Sequence, residues 1–257
     1  MIDVNRIQRW MKKAGRFAKS HFYDSIKQFD YKLDHSIVTE ADLLIENYFR
    51  DQIRKYYPGH SVIGEELDVE KGYDYAWIID PIDGTAPFLW NIPTWCISIG
   101  ITKEMQPFMG FVYVPLTGDF YHSVNSVSYL NGKQIRINEC QNIDRNSAFC
   151  VSSRIINDFS MLDYEGMIFS LGSGVFNNMM VARSSSIGAI SISPNIWDLA
   201  AATLIVESAG GKMVYLDGKA VLIDELFESK KVTQPVLAAP EHLINQLLSK
   251  IVISPKI

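Results

Sequence analysis

No stretch of this chain constrains its fold more than Ser193-Pro194-Asn195-Ile196-Trp197-Asp198-Leu199-Ala200-Ala201-Ala202-Thr203-Leu204-Ile205-Val206-Glu207-Ser208-Ala209-Gly210-Gly211. It reads as an alanine-rich helix that is apolar nearly all round, closed by a glycine pair at its C-cap. Such a helix must be buried on most sides. Asp198 stands in its first turn, where the helix dipole favours a carboxylate by roughly 0.3–1 kcal/mol. A carboxylate opening a buried helix still needs a cationic or hydrogen-bonding partner, because an ionised group is costly to bury alone.

What surrounds this helix is read from periodicity. Cys96 to Ile101, Phe108 to Val114, Phe120 to Val124 and Val127 to Leu130 are short apolar or alternating runs, and Asn131-Gly132 is a two-residue hairpin signal tying Val127–Leu130 to Gln134–Ile137. An antiparallel meander follows from them. Helices on either side of it imply layers of helix and sheet rather than a β-barrel. Residues 2 to 22 space Val4, Ile7, Trp10, Met11, Ala14, Phe17 and Ala18 along one helix face, with Arg6, Arg9, Lys12, Lys13 and Arg16 opposite. Thr39 caps a second helix running to about Tyr56, with Asp42 as the acid of its capping box and Leu44, Ile45, Tyr48, Phe49, Gln52, Ile53 and Tyr56 as its buried face. Residues 141 to 171 suggest short strands and a helix near Ile155 to Leu162. Gly172-Ser173-Gly174 precedes a helix over Val175 to Ala182, and the chain closes with a strand near Val236 to Ala238 and a helix from Pro240 to about Ile251.

Chemistry is concentrated in Trp77-Ile78-Ile79-Asp80-Pro81-Ile82-Asp83-Gly84-Thr85. A buried strand delivers two carboxylates into a turn that Pro81 stiffens, and their mutual repulsion is relieved by a hard cation such as Mg²⁺. Gly84 and Thr85 add backbone N–H groups and a hydroxyl that can hold a phosphate oxygen. Ser61-Val62-Ile63-Gly64-Glu65-Glu66 is a short strand running into two further carboxylates, which an adjacent strand would bring near Asp80 and Asp83.

The 257 residues and 47% hydrophobic content allow one or two intimately packed domains. We expect one unit over 1–257, with an N-terminal half (1–140) carrying the Glu65 and Asp80 motifs and a C-terminal half (141–257) carrying Asp198. The net charge of −5 gives no electrostatic reason to expect nucleic acid. Cys96, Cys140 and Cys150 lack metal spacing and read as reduced packing residues. With no bilayer-length apolar run and no leader-like N-terminus, the expectation is a cytoplasmic protein without membrane contact.

Val38-Thr39-Glu40-Ala41-Asp42, Ile63-Gly64-Glu65-Glu66, Asp80-Pro81-Ile82-Asp83-Gly84-Thr85 and Trp197-Asp198 with the Ala-rich helix, in this order, closely resemble the inositol monophosphatase family of Mg²⁺-dependent, lithium-sensitive phosphatases. The resemblance implies an α/β/α/β/α sandwich of the inositol monophosphatase and fructose-1,6-bisphosphatase type, commonly a homodimer. It also implies a small phosphorylated metabolite as substrate and two or three Mg²⁺ ions per site. By the same resemblance Glu65, Asp80, Asp83, Asp198 and the carbonyl of Ile82 are metal ligands, and Thr85 with Asp42 is a hydroxyl–carboxylate pair orienting the attacking water. Phosphate and substrate contacts are expected from Asp83, Gly84, Thr85, Gly172, Ser173, Ser191 and Asp198.

Departures from the family pattern bear on substrate. Inositol-cleaving members tend to have an acid at the position of Ser191. Pro93-Thr94-Trp95 is similar to the histidinol-phosphate phosphatase branch, and Lys32-x-Asp34-x-Ser36-x-Val38-Thr39 to that branch and the bisphosphate nucleotidases. A nucleotidase needs extra cations near residues 140 to 190, for which Arg145, Arg154 and Arg183 are the candidates. A rival of another class is a regulatory module binding RNA or a transcription complex. Where the family usually has a glycine after a small residue, this chain reads Ala182-Arg183-Ser184-Ser185-Ser186.

Overall fold

The computed structural model describes residues 2–24, 27–32, 36–139, 142–153, 159–161 and 164–253. Helix α1 (Val4–Phe22) starts where Asp3 accepts the amide of Asn5 at 2.9 Å, and it buries Ile7, Trp10, Met11, Ala14 and Ala18. Arg9, Lys12, Lys13 and Arg16 of its charged stripe are exposed, as the spacing predicts, whereas Arg6 is half-buried over the Tyr56 ring and Phe17, expected on the buried face, is 38% exposed. Strands β1 (Phe29–Tyr31) and β2 (Ile37–Thr39) pair antiparallel and lead into α2 (Glu40–Tyr56). The capping box is present, with Asp42 Oδ2 accepting the Thr39 amide at 2.8 Å.

The buried face of α2 keeps Ile45, Phe49 and Ile53, as its apolar spacing predicts, but not the whole of the expected set. Leu44 and Tyr56 are 45% and 41% exposed, whereas Asp42, Glu46 and Arg50 are buried. The helix is turned toward charged partners in the loop after β3 (Ser61–Gly64), and those partners outweigh the gain from covering Leu44.

Among the described residues, a seven-stranded sheet runs in chain order: β3, β4 (Tyr75–Asp83), β5 (Cys96–Lys103), β6 (Gln106–Val114), β7 (Asp119–Val124), β8 (Val127–Leu130) and β9 (Lys133–Gln134). Only β3 and β4 are parallel. Strand β9 is shorter than the predicted hairpin arm because the Ile137 amide leaves the sheet to bond the Ala209 carbonyl at 2.7 Å. Alternation along β4 divides its side chains between two cores. Trp77 and Ile79 meet α1 and α2, while Ile78 meets the apolar helix on the other face.

After the short α3 (Thr85–Leu89), the chain builds β10 (Ala148–Val151), β11 (Phe159–Met161), β12 (Met167–Phe169), α4 (Gly174–Ala182), β13 (Gly188–Ser191), α5 (Ile196–Ser208), β14 (Gly211–Tyr215), α6 (Leu226–Ser229), β15 (Val236–Pro240), α7 (Ile244–Leu248) and β16 (Ile251–Ile253). The second sheet has the order β12-β10-β13-β15-β14. Helix α5 lies between the two sheets, its Leu199, Ala202, Ile205 and Val206 sharing a core with Val112 and Tyr121 on one side and Met213 and Val236 on the other. Its approach to the first sheet is very close: a Cβ at Gly100 would stand 2.5 Å from Ala200 Cβ. Helix α7 covers the outer face of the second sheet through Ile244 and Leu247. The result is the layered α/β/α/β/α sandwich.

Two local expectations are corrected, and one loop is defined. Of the helix expected near Ile155 to Leu162, residues 159–161 are strand β11, paired with β16, and the remainder lies outside the described residues. The C-terminal helix is short, because Pro240 still belongs to β15 and a 3₁₀ turn at Glu241–Leu243 precedes α7. Ser184 takes a left-handed φ of 62°, so the loop keeps a glycine-like conformation without glycine. Cys96 and Cys150 are buried free thiols, and Cys140 and Asp34 lie outside the described residues.

Candidate active site

The parallel pairing of β3 and β4 sets Gly64 opposite Ile79, and the Glu65 amide bonds the Ile79 carbonyl at 3.2 Å. Glu65 and Asp80 therefore leave the sheet side by side. Between Asp80 and Asp83 the register of β4 on β5 slips: Asp80 opposes Ser98 and Asp83 opposes Cys96, three steps against two. Residues three apart on a regular strand face opposite sides, and the extra residue of this bulge brings both carboxylates to one side. Pro81, which has no N–H to give the ladder, is suited to that irregularity.

Oxygens of Asp80, Asp83 and Asp198 lie within 4.8 Å of one another. Asp83 Oδ2 accepts the Ser173 hydroxyl and the Val175 amide, the latter at 2.8 Å, so β4 is tied to the start of α4. Asp198 Oδ2 accepts the Asn195 amide at 2.7 Å in the capping box of α5. Asp80 Oδ1 is buried without a hydrogen-bond partner. Burial pushes all three carboxyls up, and for Asp80 the charges of Glu65, Asp83 and Asp198 add to it. A cluster of hard oxygens with one buried oxygen unpaired is what a hard divalent cation neutralises. The residues present fit such an ion.

Glu65 stands close enough to the cluster for its charge to raise Asp80, and its carboxylate pairs with Lys32 Nζ at 2.7 Å. Lys32 reaches Glu66 at 2.7 Å as well. Burial works against the Lys32 ammonium, but the two glutamates outweigh it and raise its pKa. Burial and the charge of Glu65 push Glu66 up to about 8. Asp42, fully buried, is pushed up to about 7 by burial against the opposing Thr39 hydrogen bonds.

The Thr85–Asp42 pair is not formed. The Thr85 hydroxyl donates to the Ile82 carbonyl at 3.2 Å, while Asp42 Oδ2 accepts from Thr39 and its Oδ1 has no partner. Each group has a nearer local partner. Gly84 has φ 91°, and a Cβ there would stand 2.9 Å from Ser173, so only glycine suits this turn. Gly172, Ser173 and Ser191 line a cavity of about 130 Å³ beside Asp83 and Asp198, although Ser173 spends its hydroxyl on Asp83. Ser152, Ser153 and Asn177 line it too and were not singled out from sequence. The Ser152-Ser153 doublet following a strand was the available signal. Cys96, read as packing, has its thiol 3.7 Å from Asp83 Oδ2, and burial pushes that thiol well up.

Residues 4–253 match the Inositol monophosphatase family, and the chain belongs to it. Among its relatives, a fructose-1,6-bisphosphatase/inositol-1-monophosphatase of Thermotoga maritima is 31% identical, over 81% of this chain and 83% of its own. A histidinol-phosphatase of Chlorobaculum parvum is 28% identical, over 86% and 89%. Similar solved structures include an IMPase of Thermotoga maritima (TM-score 0.83, 24% identity, 96% and 95% of the two chains). Others are an IMPase/NADP phosphatase complexed with Mg²⁺ and phosphate (0.82, 22%, 95% and 93%) and a staphylococcal inositol monophosphatase in an inhibitory complex soaked in LiCl (0.82, 22%, 95% and 92%). The chain is thus a phosphatase of this family, a phosphoric monoester hydrolase. No helix among its described residues is long and apolar enough to cross a membrane.

Proposed function

We propose that this phosphatase is Mg²⁺-dependent and hydrolyses a small polyol or amino-alcohol phosphate of the inositol 1-phosphate type. The observation that carries the reading is the convergence of Asp80, Asp83 and Asp198 around the unpaired Asp80 Oδ1. The Mg²⁺ and phosphate found in a neighbour of the same fold support it. Asp80, Asp83, Asp198 and the Ile82 carbonyl would hold one ion, and Glu65 would hold a second. Bound there, Mg²⁺ would supply Lewis acidity that lowers the pKa of water and neutralises a departing alkoxide.

The chain's own groups do the rest. Amides of the Gly84–Thr85 turn bind phosphate oxygen. Asp42 orients the attacking water through its free Oδ1 rather than through Thr85. The cavity beyond Asp83 takes the alcohol, presenting hydroxyls of Ser152 and Ser191 and the buried Asn177. Hydroxyl lining suits a polyol, and the Ser191 position offers no charged acceptor pair, which weighs against strict preference for myo-inositol phosphates. No nucleophilic side chain is required.

A second reading, histidinol phosphate, is favoured by Pro93-Thr94-Trp95 and by the Chlorobaculum relative. A bisphosphate nucleotide is disfavoured: Arg183 pairs with Asp119 and Arg145 with Glu165, while Arg154 lies outside the described residues. The deciding experiment is phosphate release from inositol 1-phosphate, histidinol phosphate, fructose 1,6-bisphosphate and adenosine 3′,5′-bisphosphate, with and without Mg²⁺ and with added Li⁺. We expect Mg²⁺-dependent, Li⁺-inhibited release, fastest on one of the first two. Release that is equal without Mg²⁺, or fastest on the adenosine compound, would overturn the assignment.

A further inference from the structure

Beneath the Glu65 loop lies an ionic network that the phosphatase reading does not use. Glu46 on α2 has no exposed surface and Arg50, one turn on, has 2%. Arg50 Nε and Nη2 donate to Glu46 Oε1 at 2.9 and 2.7 Å. The Glu46 carboxylate also accepts the backbone amides of Glu66 at 2.8 Å and Leu67 at 3.2 Å. Arg50 in turn donates to the Leu67 carbonyl at 3.1 Å and to Glu70 at 2.8 Å. The Glu66 and Leu67 amides and the Leu67 carbonyl of this loop thus meet charged partners on α2.

Packing agrees with the hydrogen bonds. A Cβ on Gly64 would stand 2.0 Å from Glu46 Oε1, so the glycine before Glu65 is where the chain lies directly on that carboxylate. Burying an ion pair is costly and is seldom justified by stability alone. Here it does something an apolar contact does not: it accepts two buried amides in a loop that leaves the ladder after Gly64. It also sets a guanidinium beneath the segment bearing Glu65 and Glu66, tied to it at the Leu67 carbonyl.

We infer that Glu46 and Arg50 are positioning residues for Glu65: by fixing the backbone of residues 64–67 they set how tightly the Glu65 side of the site holds a divalent cation. This rests on the reading that Glu65 is a metal ligand. Groups that orient a ligand commonly govern metal affinity by tenfold to a hundredfold. The effect should fall on cation affinity, with turnover at saturating cation largely kept, because neither residue touches the reacting atoms.

The test is calorimetric and EPR titration of Mn²⁺ into the full chain, with Glu46→Gln, Arg50→Lys and Glu70→Ala beside the wild type, and Glu65→Gln marking the affected site. Glu46→Gln removes the anion that pairs with Arg50, and Arg50→Lys keeps the charge but loses the planar fork. Both should weaken the site that Glu65→Gln abolishes by about tenfold, and leave the other site within twofold of wild type. Glu70→Ala removes only the half-exposed end of the network, is not expected to impair folding, and should weaken the same site by about two- to fivefold. Unchanged Mn²⁺ affinity in folded Glu46→Gln and Arg50→Lys would overturn the inference. If those two fail to fold, unchanged affinity in Glu70→Ala does so. Equal weakening of both sites would also overturn it, since that marks a merely structural role. No Mn²⁺ binding by the wild type would bring down the metal reading itself, whereas wild-type binding with unaltered variants brings down this inference alone.

Discussion

The two large sheets are assembled by opposite routes. In the seven-stranded sheet each strand pairs with its neighbour in the chain, whereas in the second, of order β12-β10-β13-β15-β14, every pairing but β14–β15 skips a strand. The acidic cluster rests on the first, through Asp80 and Asp83, and on the helix it shares with the second, through Asp198. The cavity proposed for the alcohol rests on the second, with Ser152 just past β10 and Ser191 ending β13. The Asp80–Asp83 part of the cluster is thus built from local sequence, whereas Asp198 and the cavity come from long-range assembly.

Asp83 is where the two regions meet, since it sits on β4 and accepts the Val175 amide of α4. Changing it is the sharpest way to break the comparison. Asp83→Asn keeps an acceptor for that amide but loses the charge, and phosphatase activity should fall by roughly 10³-fold or more, the scale of losing an electrostatic stabiliser. Thermal unfolding should move little. Activity within tenfold of wild type would count against the cluster as the catalytic centre.

The next effect separates the cluster from its surroundings by pH. The carboxyls of Asp80, Asp83 and Asp198 are raised above the ordinary value, Asp42 is pushed to about 7 and Glu66 to about 8. For acids whose pKa is higher in the folded state, stability is fully present below the unfolded value of about 4 and lost as pH rises through the folded one. The metal-free protein should therefore lose thermal stability between about pH 4 and pH 8. Mg²⁺ needs the ionised form, so the gap between melting temperatures in MgCl₂ and in EDTA should widen over the same range, as the stabilisation by the ion grows toward about 2.7 kcal/mol at a hundred times Kd. A gap that is constant or narrows with pH would contradict this.

The smallest effect compares the sheets by packing. A Cβ at Gly100 meets Ala200 Cβ and backbone at 2.5–3.0 Å, where α5 has no room to yield. At Gly188 the nearest atom is the Phe149 ring edge at 2.5 Å, the end of a side chain. Gly100→Ala should cost about 1–3 kcal/mol of unfolding free energy, and Gly188→Ala less. Denaturant melts of both variants test the order, and a reversed order would mean that α5 is held less firmly than the second sheet.

Much of this was legible from sequence where the pattern is local. The Asp80–Asp83 turn, the capping box at Thr39, the Asn131-Gly132 hairpin and the apolar α5 all follow from residues within a few positions of each other. What was not legible depends on distant partners. The periodicity of α2 points Leu44 inward, yet Glu46 and Arg50 are inside because a loop twenty residues on needs their charges. They stand four and eight positions after Asp42, so tracking the carboxylate instead of the leucines would have found the buried face. Residues 159–161 form a strand because β16 offers its edge, which no nearby residue announces. Cys96 reads as an apolar strand residue, and only the bulge places its thiol by Asp83.

The hydrogen bonds to Asp83 and Asp198 carry one more consequence. One oxygen of each is already engaged, by the amides of Val175 and Asn195. Each acid is therefore suited to contribute a single oxygen, and a small octahedral ion asks for six. Were such an ion held here, solvent or the phosphorylated reactant would supply the oxygens that these two acids do not, leaving part of its shell open to exchange.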